Sequence, residues 1–218
     1  MLPKVILLNS INIDGCLDDF DRGYEIFNQI SYETNFDAVL MDTNTLKIRY
    51  GLESDKSKQS LNDLNIPLLV VPDSHGEIRT WKKIIEMRNI DNFLILCSRA
   101  TNQEYLNFLE ENNVNYMIIG FDDVNLPTAL EELNIQFKVK TILVTADGML
   151  NNRLMGDDLV EEIIILINPK LDLNNSSDSF YSFTELNEDS AYDLRLVDIK
   201  RLKNETVYLK YRIMKYQF

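Results

Sequence analysis

Two apolar runs in this chain stop at turns whose residues could face a ligand. Val5-Ile6-Leu7-Leu8 passes into Asn9-Ser10-Ile11-Asn12-Ile13-Asp14-Gly15, and Thr141-Ile142-Leu143-Val144 passes into Thr145-Ala146-Asp147-Gly148-Met149-Leu150-Asn151. In an open α/β sheet, ligands lie beyond the carboxyl ends of the strands, where backbone N–H groups are not used by the ladder. Two such ends, separated by alternating strands and helices, suit a nucleotide. At either one alone, an ordinary strand-to-loop transition is the alternative.

A third stretch, Leu96-Cys97-Ser98-Arg99-Ala100-Thr101, ends a strand and opens a helix. A helix N-terminus offers N–H groups and a positive dipole end, and Ser98 with Arg99 adds a hydroxyl and a fixed cation. That chemistry suits a phosphate monoester, such as the 2′-phosphate of an NADP-type cofactor; the alternative is a helix cap beside a solvated Arg. At Ala146-Asp147-Gly148, small residues let the backbone approach a diphosphate closely, although Asp147 carries the wrong sign for that task. The sole histidine, His75, sits in a turn-rich stretch with no partner nearby in sequence and is given no role. Asp18-Asp19-Phe20-Asp21 lacks the Gly and Glu spacing of a calcium loop and reads as a solvated helix start, so no metal is expected.

The elements that must position these residues alternate in period. Strand-like runs cover residues 3–10, 37–41, 67–71, 93–98, 115–119, 140–145 and 162–168. Between them, helical spacing places Tyr24, Phe27, Ile30 and Ser31 on one face, and Tyr105, Leu106 and Leu109 on another. Thr101 and Glu104 form a capping-box pattern for the helix over 102–112. Pro127 suits the first turn of a helix over 126–137. A short helical stretch covers 149–155. Residues 179–186, 193–202 and 205–214 read as strands without helices between them. The segments 51–65 and 171–178 read as loops. The pattern predicts a mostly parallel α/β sheet with helices on both faces and an antiparallel C-terminal edge, in one domain spanning residues 1–218.

The bulk numbers bound the partners. A net charge of −13 argues against general attraction to nucleic acid or an anionic membrane. The longest apolar runs, such as Ile163-Ile164-Ile165-Leu166-Ile167, fall far short of the roughly 20 residues that span a bilayer. The N-terminus has no secretory pattern, and Cys16 and Cys97 form no metal or disulfide framework, so a reducing cytoplasm is expected.

Several of these motifs, taken in order, resemble the reductase domain of riboflavin biosynthesis, which stands alone in archaea and forms the C-terminal half of the bacterial deaminase–reductase. Asn9 through Asp14-Gly15 resembles that family's Asn-x-x-x-Ser-Leu-Asp-Gly. The run from Asp37-Ala38-Val39-Leu40 to Thr45 resembles its Asp-Ala-Val-Leu-x-Gly-x-x-Thr, and Leu150-Asn151 through Leu159-Val160-Glu161-Glu162 resembles its Leu-Asn…Leu-Val-Asp-Glu. The resemblance covers nearly the whole chain and implies a dihydrofolate-reductase-like fold. It implies NADPH lying across the strand ends and reduction of a phosphorylated ribosylamino-pyrimidine, with hydride delivered to the sugar C1 of the opened imine.

Carried onto this sequence, the resemblance implies Asn9 and Asp14 at the reacting centre. The cofactor would meet Gly15, Thr45, Ser98, Arg99, Ala146, Asp147, Gly148, Met149 and Leu150. The substrate would meet Asn12, Glu33, Arg49 and Thr145. The chain departs from the family at several of these. Asp42 and Asp147 stand for Gly, Asn12 for Ser, Thr145 for an acid, Glu33 for Arg and Arg49 for Asp. Glu33 and Arg49 are therefore expected to pair, with weak turnover of the 5′-phosphorylated substrate. Same-fold reduction of another small molecule, and a non-catalytic relative that binds a nucleotide or partner, are the other functions considered. The resemblance and the alternating Val207, Leu209, Tyr211 and Ile213 on a presumed edge strand imply a homodimer acting on a small-molecule substrate.

Overall fold

The structure, a computed structural model, describes residues 1–15, 30, 33–50, 66–81, 84, 92–146, 148–171 and 191–214. The expected helix over 20–32 lies outside the described residues except for Ile30 and is not assessed. The expected strand over 179–186, the segment 51–65 and nearly all of 171–178 also lie outside them, as do Cys16, the Asp18–Asp21 cluster, Asp147 and the side chain of Arg49. Contacts divide the chain into two compact units, Met1–Pro3 with Asn35–Ile142 and Lys4–Thr34 with Leu143–Phe218.

The first unit holds four parallel strands. They are β2 (Ala38–Leu40), β3 (Leu69–Pro72), β4 (Phe93–Cys97) and β5 (Tyr116–Ile118), in the order β5-β4-β3-β2. Their register runs Val39↔Leu69, Leu69↔Phe93 and Ile95↔Tyr116. Ala38, Val39, Leu69, Val70, Val71 and Ile95 are buried, which is why these strands read as continuous apolar runs rather than alternations. Helix α1 (Thr43–Tyr50), which the periodicity does not reveal, is started by Asp42. The Asp42 carboxylate accepts from the Thr45 N–H at 2.7 Å and from the Thr45 hydroxyl at 2.7 Å.

Helix α2 (Gln103–Glu111) buries Tyr105, Leu106 and Leu109, the face expected from spacing. Its cap differs from the expectation. Asn102, not Thr101, accepts from the Glu104 N–H at 2.8 Å. Thr101 turns inward, accepting from the Ser98 N–H at 3.0 Å and donating to the Ser74 carbonyl at 2.8 Å. Asn102 takes the cap because Thr101 ties together two strand ends. Helix α3 (Leu126–Phe137) starts at Asn125 with Pro127 in its first turn.

Strand β6 (Thr141–Val144) is where the division falls. In the second unit, β1 (Lys4–Asn12) runs parallel to β7 (Val160–Asn168). Strand β9 (Val207–Ile213) is antiparallel to β7, and β8 (Leu194–Arg201) is antiparallel to β9. Helix α4 (Gly148–Gly156) directly follows the turn after β6.

Two expectations are corrected here. β1 does not stop at Ser10 but continues to Asn12, because its backbone stays paired with β7 as far as Asn168. β9 is not an edge: it lies between β7 and β8, so its alternating residues pack within the sheet. Among the described residues, β8 is the edge strand beside β9, and its Leu194, Leu196, Val197 and Ile199 are exposed.

The start of β7 carries a charged knot. Glu162, whose side chain is 3% exposed, meets Lys4 Nζ at 2.8 Å, Lys210 Nζ at 3.0 Å and an Arg212 nitrogen at 3.1 Å. Burial raises the Glu162 carboxyl, but the hydrogen bonds from Lys4, Lys210 and Arg212 outweigh it and hold it at about 2.

Candidate functional site

In the first unit, the carboxyl ends of β3 and β4 are stitched by polar side chains. Asp73, buried just after β3, accepts from the Glu77 and Ile78 N–H groups at 2.8 and 3.1 Å and from the Tyr105 hydroxyl at 2.6 Å. Trp81 Nε1 donates to the same hydroxyl at 3.1 Å. Burial, reinforced by the Asp73 charge, pushes the Tyr105 phenol far up, so it stays a neutral donor. Gly76 closes the turn at φ +69°, where a Cβ would lie 2.6 Å from Tyr105 Cγ. Only glycine fits both that conformation and that contact. The loop holding His75 is therefore rigidly tied, and His75 itself is exposed.

Ser98 and Arg99 separate in this frame. Ser98 is fully buried, and its hydroxyl donates to the Asp122 carbonyl at 3.2 Å. It is occupied as a structural tie, which makes it a poor fit for a phosphate. Arg99 is exposed, with its guanidinium 4.5 Å from the centroid of the Phe121 ring. Arg99 and Phe121 line an open groove of about 370 Å³ with Ile118 of β5 and Thr128, Glu132 and Gln136 of α3. Burial pushes the Cys97 thiol up to about 12, Asp73 adding to the effect, so it is no nucleophile at neutral pH. Thr45 is half-buried, its hydroxyl engaged by Asp42. Glu77, on the loop, is held below the ordinary carboxylate range by Lys47, which outweighs its partial burial.

In the second unit, the two strand ends singled out by sequence meet. Asn9 Nδ2 donates to the Ala146 carbonyl at 2.7 Å. Asn151 Nδ2, from α4, lies 3.3 Å from that carbonyl and 3.5 Å from Asn9 Oδ1. Asn9, Asn151, Ala146 and Thr145 are all buried. Asn9 thus fixes the turn that leads into α4, which makes it a positioning residue. After that turn, Gly148 and Leu150 are buried and Met149 is exposed. A parallel strand feeding a nine-residue helix this way directs the helix dipole at the strand end.

Asp14 is exposed in the turn after β1, where the Gly15 N–H donates to the Asn12 carbonyl at 2.9 Å. Gly15 takes φ +83°, with no heavy atom within 4 Å of where a Cβ would lie, so its lack of a side chain serves conformation and leaves room above the turn. Glu33 is exposed. Together with Asp198 and Glu162 it adds negative field to Tyr208, whose phenol burial pushes up to about 12. The expected Glu33–Arg49 pair depends on a side chain outside the described residues and is not assessed.

A second buried polar group was not foreseen. Asn12 of β1 stands in register with Asn168 of β7. Thr206 donates to Asn168 Oδ1 at 3.0 Å, and Asn168 Nδ2 donates to Ser10 Oγ at 2.7 Å. Asn168 and Thr206 lay in stretches read only as strands. Polar residues at the carboxyl end of an apolar strand were the signal that could have found Asn168.

A mostly parallel α/β sheet with polar strand ends and an antiparallel C-terminal hairpin defines the class of dihydrofolate-reductase-like folds. The chain belongs to the RibD C-terminal domain family, whose model matches residues 3–208. No curated protein sequence matches it. By structure it is similar to a pyrimidine reductase-like protein of Corynebacterium diphtheriae, with a TM-score of 0.73, 14% identity, and coverage of 98% of this chain and 93% of that one. It is also similar to the riboflavin biosynthesis reductase Rib7 of Saccharomyces cerevisiae, with a TM-score of 0.68, 17% identity, and coverage of 98% and 90%. Dihydrofolate reductase of Enterococcus faecalis shares the fold at a TM-score of 0.53 and 8% identity, with coverage of 99% and 100%. Family and fold make the chain an oxidoreductase of the pyrimidine-reductase type, a class that works with a nicotinamide cofactor. Among the described residues, no helix is long and apolar enough to cross a membrane.

Proposed function

We propose that the chain is a single reductase domain over residues 1–218 that uses NADPH to reduce a ribosylamino-pyrimidine of riboflavin biosynthesis. It would work as a cytoplasmic homodimer, without nucleic acid or membrane. The observation that carries this reading is the 2.7 Å bond from Asn9, in the motif that resembles the family's, to the Ala146 carbonyl, in a chain whose residues 3–208 match the family model.

The residues present fit the cofactor in part. Arg99, exposed, can pair with a phosphate, and the start of α4 suits a diphosphate, with Gly148, Met149 and Leu150 in its first turn. Thr45 lies at the start of α1. Ser98 does not fit, and Asp147 opposes a diphosphate by charge. When bound, NADPH would supply the hydride. Asn9 holds the β6-to-α4 turn in place, Gly15 leaves room above its turn, and Asp14 presents a carboxyl group beside it. The reduction adds hydride to the sugar C1 of the opened imine and a proton to its nitrogen, giving the ribitylamino product and NADP⁺. Asn12, Glu33, Arg49 and Thr145 are the candidate substrate contacts. Glu33, an acid where the family carries a base, disfavours a 5′-phosphate.

The homodimer reading is supported by β8, an edge strand among the described residues, with four exposed large apolar residues that a second copy would cover. The central test follows NADPH oxidation with 5-amino-6-(5-phosphoribosylamino)uracil and with its dephosphorylated form. Consumption of NADPH matched by ribitylamino product is expected, slower for the phosphorylated form. NADPH binding without turnover of either would refute the substrate, and absence of NADPH binding would refute the reductase.

A further inference from the structure

Two places in the first unit have the backbone form that takes a phosphate, the turn from β4 toward α2 and the start of α1. The protein's own oxygens fill both. After β4, the Ser98 N–H donates to the Thr101 hydroxyl at 3.0 Å and the Arg99 N–H to the Gly120 carbonyl at 3.2 Å. The Ala100 N–H donates to the Phe121 carbonyl at 2.9 Å and the Thr101 N–H to the Ser98 carbonyl at 3.2 Å. Four consecutive amides are spent in this way. The loop that accepts from Arg99 and Ala100 is tightly folded, since at Gly120, φ +101°, a Cβ would lie 2.1 Å from the Asp123 carbonyl oxygen.

At the start of α1 the filling group is an acid. One oxygen of Asp42 accepts from the Thr45 N–H and the other from the Thr45 hydroxyl, both at 2.7 Å. A backbone donor and a hydroxyl thus converge on two oxygens of one anion, as they would on a phosphate at a helix start. A second acid stands beside it. Glu77 Oε2 accepts from the Thr43 hydroxyl at 3.0 Å and from Lys47 Nζ at 2.8 Å. Its own N–H donates to Asp73 at 2.8 Å, which holds it over the first turn. Capping alone does not call for this charge, because Asn and Ser cap a helix as well as Asp does. Arg99 differs from these donors: it is exposed, and its guanidinium lies 4.5 Å from the Phe121 ring centroid.

We infer that Asp42 is a specificity-determining residue that closes the start of α1 to phosphate, standing in the place of a ligand's anion, with Glu77 adding to the repulsion. The inference rests on the proposed reductase function and narrows how the cofactor is held. In this unit Arg99 is the phosphate-binding group, and the diphosphate makes no contact with α1. Thr45, placed at the cofactor by resemblance, holds the protein's own carboxylate instead.

The test compares wild type with Asp42→Asn, which keeps a cap and removes the charge, and with Asp42→Ser, a shorter neutral cap. Calorimetry gives affinities for ADP, adenosine and NADPH at about 50 and about 500 mM salt, and thermal melting gives Tm. At low salt both variants are expected to bind ADP and NADPH at least about fivefold more tightly than wild type. The gain should shrink at high salt, adenosine affinity should be unchanged, and Tm should stay within a few degrees. Unchanged or weaker ADP binding overturns the inference, as does absence of ADP binding in all three proteins. An equal gain for adenosine also overturns it, since the effect would then come from shape and not from charge. If neither Asp42 variant folds, Glu77→Gln, at a 44% exposed side chain, decides by the same comparison with a smaller gain. Tighter ADP binding by the variants of a protein that binds no NADPH would leave the inference standing and refute the cofactor. NADPH binding that no Asp42 variant changes would leave the reductase standing and overturn the inference.

Discussion

Glu162→Gln is expected to destabilise the protein by about 2–3 kcal/mol at neutral pH. The carboxyl is held at about 2 against an ordinary 4.5. The gap between those two values corresponds to about 3 kcal/mol favouring the ionised form in the folded state. Part of this is recovered in the variant, because the Lys4, Lys210 and Arg212 side chains are 36%, 25% and 60% exposed and can turn toward water. For a chain of this size such a loss lowers Tm by roughly 4–12 °C. The pH dependence follows from the sign. A depressed carboxyl contributes stability that is fully present above the unfolded-state value of about 4.5 and is lost as pH falls through the folded value of about 2. Urea denaturation of wild type and variant should therefore show a constant gap above about pH 5.5 that closes between about pH 4.5 and 2. A gap of the same size at pH 7 and pH 2.5 would show that the loss comes from packing and that the ion cluster contributes nothing.

Gly76→Ala should cost about 2–4 kcal/mol, since φ +69° is strained for alanine and its Cβ would meet the Tyr105 ring; an unchanged urea midpoint would mean the loop is not tied as described. Arg99→Ala should erase a preference for NADPH over NADH worth about 1.5–3 kcal/mol, roughly 10- to 150-fold in affinity; equal affinities in wild type would remove Arg99 from the cofactor site. Leu196→Glu with Ile199→Glu should convert the proposed dimer to a monomer in light scattering, whereas a wild type of about 25 kDa at micromolar concentration would refute that dimer. Asp147→Gly should tighten NADPH binding, with a gain that shrinks as salt rises; weaker binding would mean the carboxylate is paired or caps α4.

Strands β1 to β7 were legible as elements because buried parallel strands leave short apolar runs bounded by polar turns. Val39-Leu40, Val70-Val71 and Ile95-Leu96 all show this. Helix α1 was missed because Thr43-Asn44-Thr45-Leu46-Lys47-Ile48 has no apolar stripe; it is nucleated by the Asp42 cap instead. Thr101 fitted a capping box by spacing, but spacing does not report that its hydroxyl bridges Ser98 and Ser74, which lie 3 and 27 residues away in sequence. The same limit applies to Ser98. A hydroxyl at a helix start is equally suited to a ligand or to a neighbouring carbonyl, and the Asp122 carbonyl takes it.

The polar residues of β1 show why strand ends in this fold carry function at a cost to stability. Asn9 and Ser10 point to opposite faces, and each face solves the burial of an amide differently. On the Asn9 side, the amide pins the β6-to-α4 turn, so its hydrogen bonds are spent inside the protein and hold backbone geometry. On the Ser10 and Asn12 side, a row of hydrogen bonds ends beside a carbonyl with no donor among the described residues. An apolar strand end would be more stable on both faces and would recognise nothing. The first face holds the backbone of the turn into α4 through the Asn9 amide. The second face carries a buried amide carbonyl that no described residue completes, a cost that the apolar positions upstream on β1 do not bear.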